Sequence, residues 1–279
     1  MIRNLVKGFN DSFFDKFLIF VHRSINYSVN YISCPFRDHI SNNVQITLLQ
    51  IDRTSEWFVP KFGSKKFRIS IGILFIPYTS IVTCFAALGA ISGPLQLERV
   101  AAICVIYILA LGVGAHLLDA VGGKTKPWGN LPKKKIGFIA VSAVSIAFFV
   151  GIYFAFLDSP WLFPIGVIEG FFLFAYSLEL FGGKFHNNIS TIFSWGILPV
   201  FAGSIIQTNS ISIETIIIAA ITALVTYGLI KTSRQYKLLK RDNGDPHIIK
   251  KKERILKLIT IGVIASTIIF FIMRYFNLI

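Results

Sequence analysis

The 279-residue chain is 54% hydrophobic and only 15% charged, and its mean hydropathy is +0.65. A soluble domain carries about a quarter charged residues, so these values exclude an ordinary soluble globule and point to an all-α polytopic membrane protein. The formal net charge of +14 would suggest nucleic acid in a soluble protein. Here the bases sit in short segments between apolar runs, so they report topology, and no nucleic-acid partner is expected.

Residues 1–67 form a mixed N-terminal segment, read as cytoplasmic or interfacial. Phe13, Phe14, Phe17, Leu18, Phe20 and Val21 recur at helical spacing between Asp15, Lys16 and Arg23, as in an amphipathic helix lying on a membrane or a bundle. No compact apolar core followed by a small-residue cleavage site marks a signal peptide. Cys34, Cys84 and Cys104 make no CxxC pair and read as small buried hydrophobes.

Residues 68–279 read as a transmembrane helical bundle of seven or more spans. Apolar runs near 68–91, 97–119, 136–157, 160–181, 189–207, 213–231 and 256–277 each approach the roughly 20 residues that cross a bilayer. Their connections alternate. Lys61, Lys65, Lys66 and Arg68 precede the first run, Lys124 to Lys135 separate the second and third, and nine bases lie between Lys231 and Arg254. The intervening connections carry only Arg99. The positive-inside rule makes the basic side cytoplasmic, in a multi-pass protein of, most simply, the plasma membrane. Residues 231–254 read as a charged loop in water or against lipid head groups. Trp57, Trp128, Trp161 and Trp195 fall near span ends, where interface belts form.

Two stretches carry the chemistry, and both close on the basic side. The first is Gly112-Val-Gly-Ala-His-Leu-Leu-Asp-Ala-Val-Gly-Gly-Lys124. The second is Tyr176-Ser-Leu-Glu-Leu-Phe-Gly-Gly-Lys-Phe-His186. His116 and Asp119, spaced i, i+3, share a helix face. Glu169, Tyr176 and Glu179 share a broad face of the fourth span, while Gly182-Gly183 offers a break before His186. Ionisable groups within spans cost several kcal/mol unless paired, hydrated or metal-bound, so His116, Asp119, Glu179 and His186 are candidate metal ligands. A solvated helix end would also explain them. Lys124, Lys126, Lys184, Lys231 and Arg234 lie nearby and could neutralise a diphosphate, although topology alone accounts for bases at such places. No P-loop, dinucleotide fingerprint or nucleophile elbow is present.

This layout resembles the UbiA superfamily of membrane prenyltransferases over roughly residues 68–277. In that family an NDxxDxxxD-type motif closes the second helix. Here Ala115-His-Leu-Leu-Asp-Ala-Val-Gly-Gly123 stands there, with Asp119 at the second aspartate, His116 at the first and Gly123 at the third. Tyr176 to Lys184 lies where the family has its tyrosine segment, and Gly196-Ile-Leu-Pro-Val-Phe-Ala-Gly203 is similar to its fifth helix. The family's second acidic motif is absent where Tyr227 to Tyr236 ends the sixth. The resemblance implies a UbiA-like bundle, an isoprenyl diphosphate or other lipid substrate, and Mg²⁺-assisted transfer of an isoprenyl group to an acceptor. Asp119, Glu179 and Tyr176 would be the catalytic residues. The histidines would also suit Zn²⁺, Fe²⁺ or Mn²⁺. Two other readings stand beside transfer: a membrane metalloenzyme of another reaction class using His116, Asp119, Glu179 and His186, and a non-catalytic lipid-binding protein. Membrane lipids are partners in all three.

Overall fold

The computed structural model describes residues 53–122, 128, 129 and 131–278. The amphipathic segment at residues 13–21, and Lys124 and Lys126, lie outside them. Among the described residues every regular element is helical. Seven long helices follow one another: α1 Lys65–Ile91, α2 Leu97–Val121, α3 Lys133–Leu157, α4 Leu162–Ser177, α5 Asn188–Thr208, α6 Ile213–Arg241 and α7 Pro246–Tyr275. Six are long and apolar enough to cross a membrane, and α4 is apolar but shorter, at 16 residues. This is an integral multi-pass membrane protein. Its outer faces carry exposed large hydrophobics such as Phe149, Phe156, Leu224 and Leu258, which suit contact with lipid chains.

The helices fall on the expected apolar runs except in the last connection. Residues 231–254 are not a charged loop. Ladder hydrogen bonding carries α6 on to Arg241, and α7 begins at Pro246, where proline's missing N–H costs nothing. The Asp245 carboxylate caps α7 by accepting the His247 N–H at 2.8 Å. Charge marked where the helices meet water, not where they stop.

Core contacts are made by removing side chains. A Cβ on Gly89 would lie 2.0 Å from the Val200 carbonyl oxygen, and one on Gly203 would lie 2.0 Å from that of Ala86. The two glycines let α1 and α5 cross backbone to backbone, the usual device where lipid removes the hydrophobic driving force.

The two ends of the bundle are built differently. At the end joining α1 to α2, α3 to α4 and α5 to α6, buried Arg99 forks onto Asp158 at 2.6 and 2.9 Å and also donates to Ser159 and the Ile206 carbonyl. Arg274 donates to the carbonyls of Ile91 and Gly93. Gln207 exchanges two hydrogen bonds with the Gln96 backbone. The other end, called here the basic end, carries the two stretches singled out above.

Two irregularities shape the interior at the basic end. Helix α1 breaks at Phe75, which takes a left-handed φ of 44° ahead of Pro77. Proline cannot donate back to the preceding turn, and the Thr79 hydroxyl caps the freed Leu74 carbonyl at 2.8 Å. Helices α2 and α5 each contain a π-helical stretch, Ile108–Ala115 and Ile192–Ile197. Before α1, residues 53–64 fold back over the basic end. Arg68 ties them down through the Pro60 and Thr54 carbonyls, both at 2.8 Å, and Lys240 pairs with Glu56 at 3.4 Å. This docking brings Arg53 over the helix ends.

Candidate functional site

A cavity of about 760 Å³ runs into the bundle from the basic end, lined by α1 to α6 and Arg53. Apart from Tyr107 and Glu169, its inner wall is apolar and includes Val82, Ile103, Ala147, Phe148 and Leu162. Its mouth is polar. Asp119, His116, Tyr176, Glu179, His186, Arg234, Lys237, Ser233 and Arg53 all line it.

The π stretch of α2 explains why so much of that helix faces inward. At about 100° per residue, an α-helix would set Tyr107 and His116, nine positions apart, on opposite faces. The wider i→i+5 turns of Ile108–Ala115 advance by a smaller angle per residue, and both side chains line the cavity. From His116 onward the helix is α again, so Asp119 stays beside it. In α5 the π stretch carries Ser194 and Trp195 to the wall, and Thr222 of α6 donates to its Gly196 carbonyl at 2.6 Å.

The second stretch does not continue as a helix. Helix α4 ends at Ser177, and Glu179, Phe181, Gly182 and Gly183 all have positive φ. The chain doubles back, so the His186 ring stacks on Tyr176 with centroids 4.1 Å apart and planes 17° apart. Tyr176 in turn leans on Trp195 at 6.1 Å. Glu179 reaches the cavity from a left-handed turn and not from the helical face expected of it. Partial burial lowers the His186 pKa below its ordinary value, while the Asp119 and Glu179 carboxylates pull it upward. The imidazole is therefore neutral near pH 7.

Asp119 lies within electrostatic reach of Arg53, His186, Lys237 and Glu179. Yet among the described residues neither Asp119 nor Glu179 forms an ion pair with Arg53, Arg234 or Lys237. The Arg53 guanidinium sits 5.4 Å from the Phe75 ring centre. Tyr78 and Ser233 join α1 to α6 at the mouth through a 3.0 Å hydroxyl contact. The buried Nε2 of His116 has no hydrogen-bond partner among the described residues, and its ring lies 4.9 Å from that of Phe75.

The structure thus brings His116, Asp119, Tyr176, Glu179, His186 and Arg234 to one cavity. Lys184 and Lys231 do not line it. Lys184 is exposed, and the exposed Lys231 ammonium lies 5.8 Å over the Tyr227 ring. Arg53 and Lys237 take their place. Lys237 was legible in principle, because Ile230, Ser233, Arg234 and Lys237 follow i, i+3, i+4, i+7. Arg53 comes from the N-terminal segment well beyond its amphipathic stretch, where no apolar period marks it.

A metal ion held by protein side chains alone asks for at least three converging ligands. Among the described residues no three His, Cys, Asp or Glu side chains group closely enough to hold one. His116, Asp119, Glu179 and His186 share the cavity without forming such a cage, whereas Mg²⁺ held by one or two carboxylates and a substrate's phosphates would need none. Comparison with models of known protein families, with curated proteins and with solved structures gave no match.

Proposed function

We propose that the chain takes an isoprenyl diphosphate tail-first into this cavity and transfers its isoprenyl group to an acceptor, as a divergent relative of the UbiA-type prenyltransferases. The supporting observation is the single 760 Å³ cavity that joins an apolar interior to a cationic mouth, a volume within the usual range for small-molecule sites. The basic end faces the cytoplasm by the positive-inside rule, and the plasma membrane is the simplest location.

The tail lies among Val82, Ile103, Ala147 and Phe148, where water is excluded. The diphosphate faces Arg53, Arg234 and Lys237, whose charges have no ion-pair partner among the described residues. The C1–O bond breaks with its electron pair passing to the diphosphate, and the three cations hold the added charge. The allylic carbon is flanked by the Tyr176 and Trp195 rings, whose faces stabilise positive charge. The acceptor's nucleophile bonds to C1, and its proton passes to the Asp119 carboxylate or the neutral His186 imidazole.

Pyrophosphate release from geranyl diphosphate by the full chain in nanodiscs, with water or membrane extract as the acceptor source, tests this. Release that falls more than about tenfold in Asp119→Asn, with binding retained, is the expected result. Binding without any release would favour the non-catalytic lipid-binding reading, which His116 and Gly123 at two of the family's aspartate positions also support. Absence of binding would overturn both.

A further inference from the structure

Deep in the cavity, away from the mouth, lies a polar pair that the transfer reaction does not use. The Tyr107 hydroxyl of α2 donates to Oε1 of Glu169 on α4. Both residues line the cavity, and Tyr107 is only 5% exposed. Glu169 precedes Tyr176 by two turns, which sets it about 10 Å further along α4. Its other carboxyl oxygen, Oε2, has no hydrogen-bond partner among the described residues, and no cation pairs with it there.

A carboxyl group within a membrane span costs several kcal/mol unless something answers it. One tyrosine answers half of it. Phe148, Gly151, Gly166 and Gly170 also line the cavity and offer no side-chain hydrogen bond. Added Cβ atoms on Gly151 and Gly166 would meet no atom closer than 3.9 Å, whereas one on Gly170 would meet the Phe148 ring at 2.8 Å. The π stretch of α2 is a second, independent sign, because it keeps Tyr107 on the same face as His116.

We infer that Tyr107 and Glu169 form a second subsite that binds a hydroxyl group carried on the ligand's chain, so that the cavity selects a lipid oxygenated about 10 Å inward from the level of Tyr176, where C1 lies. The hydroxyl donates to the free Glu169 oxygen. Extended, that distance spans roughly eight to ten carbons. The inference rests on the head group lying at Arg53, Arg234 and Lys237 as proposed above.

The test compares decyl phosphate with ω-hydroxydecyl phosphate, titrated by calorimetry into the full chain in nanodiscs. The wild-type protein should bind the hydroxylated probe about tenfold more tightly than decyl phosphate, the worth of a hydrogen bond to a buried carboxyl group. That preference should fall to about onefold in Glu169→Leu and shrink in the nearly isosteric Tyr107→Phe, with each variant's affinity for decyl phosphate as its own internal reference. A wild-type preference of one or less, or a preference that survives unchanged in both variants, overturns the subsite. If decyl phosphate binds, and is weakened by Arg234→Gln, while the preference is absent, the subsite alone fails. If neither probe binds the wild-type chain, the head-group reading fails and this inference fails with it.

Discussion

The two ends of the bundle use the same residue types to opposite effect. At the far end Arg99 is saturated: two carboxylate oxygens, one hydroxyl and one carbonyl surround it, and Arg274 closes on two carbonyls. At the basic end Arg53, Arg234 and Lys237 share a cavity mouth with Asp119 and Glu179 and form no ion pair with them among the described residues. A saturated cation fixes helices in place. A cation left facing a cavity keeps its field available for something that arrives and leaves. The presence of arginine at an end therefore says little; what distinguishes a clamp from a binding site is whether the protein itself completes the coordination.

Three changes probe this contrast, in descending order of effect. Gly203→Ala strikes the α1–α5 crossing that holds both ends in register. Its new Cβ meets the Ala86 carbonyl at 2.0 Å, and the helices must part. Thermal unfolding in detergent should show a loss of about 3 kcal/mol, and unchanged unfolding would mean that the crossing is not a close one. Next, Arg99→Leu should lower the melting temperature, whereas Arg234→Gln with Lys237→Gln should leave it level or raise it through relief of like-charge repulsion. The same double substitution should weaken decyl phosphate binding roughly a hundredfold, since each charged contact contributes about tenfold. Equal melting losses in both proteins would erase the distinction between the ends.

The smallest effect is a pH dependence. The His186 pKa is depressed in the folded chain, so the stability it contributes is complete above the ordinary histidine value of about 6.5. It is lost as pH falls from there through the folded value. His186→Phe keeps the stack on Tyr176 and removes the proton, so its melting temperature should fall less between pH 7 and pH 5 than that of the wild type. A steeper fall in the variant would show that His186 carries its proton in the folded state.

How far the sequence spoke for this arrangement depends on whether a feature follows from local periodicity. The apolar runs, the i, i+3 face of His116 and Asp119, and the pairing of Glu169 with Tyr176 on one side of α4 all follow from it, and all reach the cavity. Lys237 was hidden because a charged stretch after an apolar run reads as a loop, although Thr226, Leu229, Ile230, Ser233 and Tyr236 continue the buried face of α6. Lys231 and Lys184 lie near the right motifs, but nearness in sequence does not set direction. The left-handed turn at Glu179 and the π stretches have no periodic signature, since each is a local departure from the helix whose period is being read.

The π stretch in α2 bears on how this cavity can change. The angular phase between its inner layer, at Tyr107, and its outer layer, at His116, follows from backbone bonding over Ile108–Ala115, where Gly112 and Gly114 pack so closely that added Cβ atoms would meet Thr79 at 2.6 Å and Val144 at 2.4 Å. Substitutions at its lining positions Ala110 and Leu111 can alter the cavity wall while leaving the two layers aligned. Adding or removing a residue would turn one layer against the other. The inner layer is thus free to drift in chemistry yet tightly constrained in length, so variation in what the cavity accepts is accessible by point substitution alone.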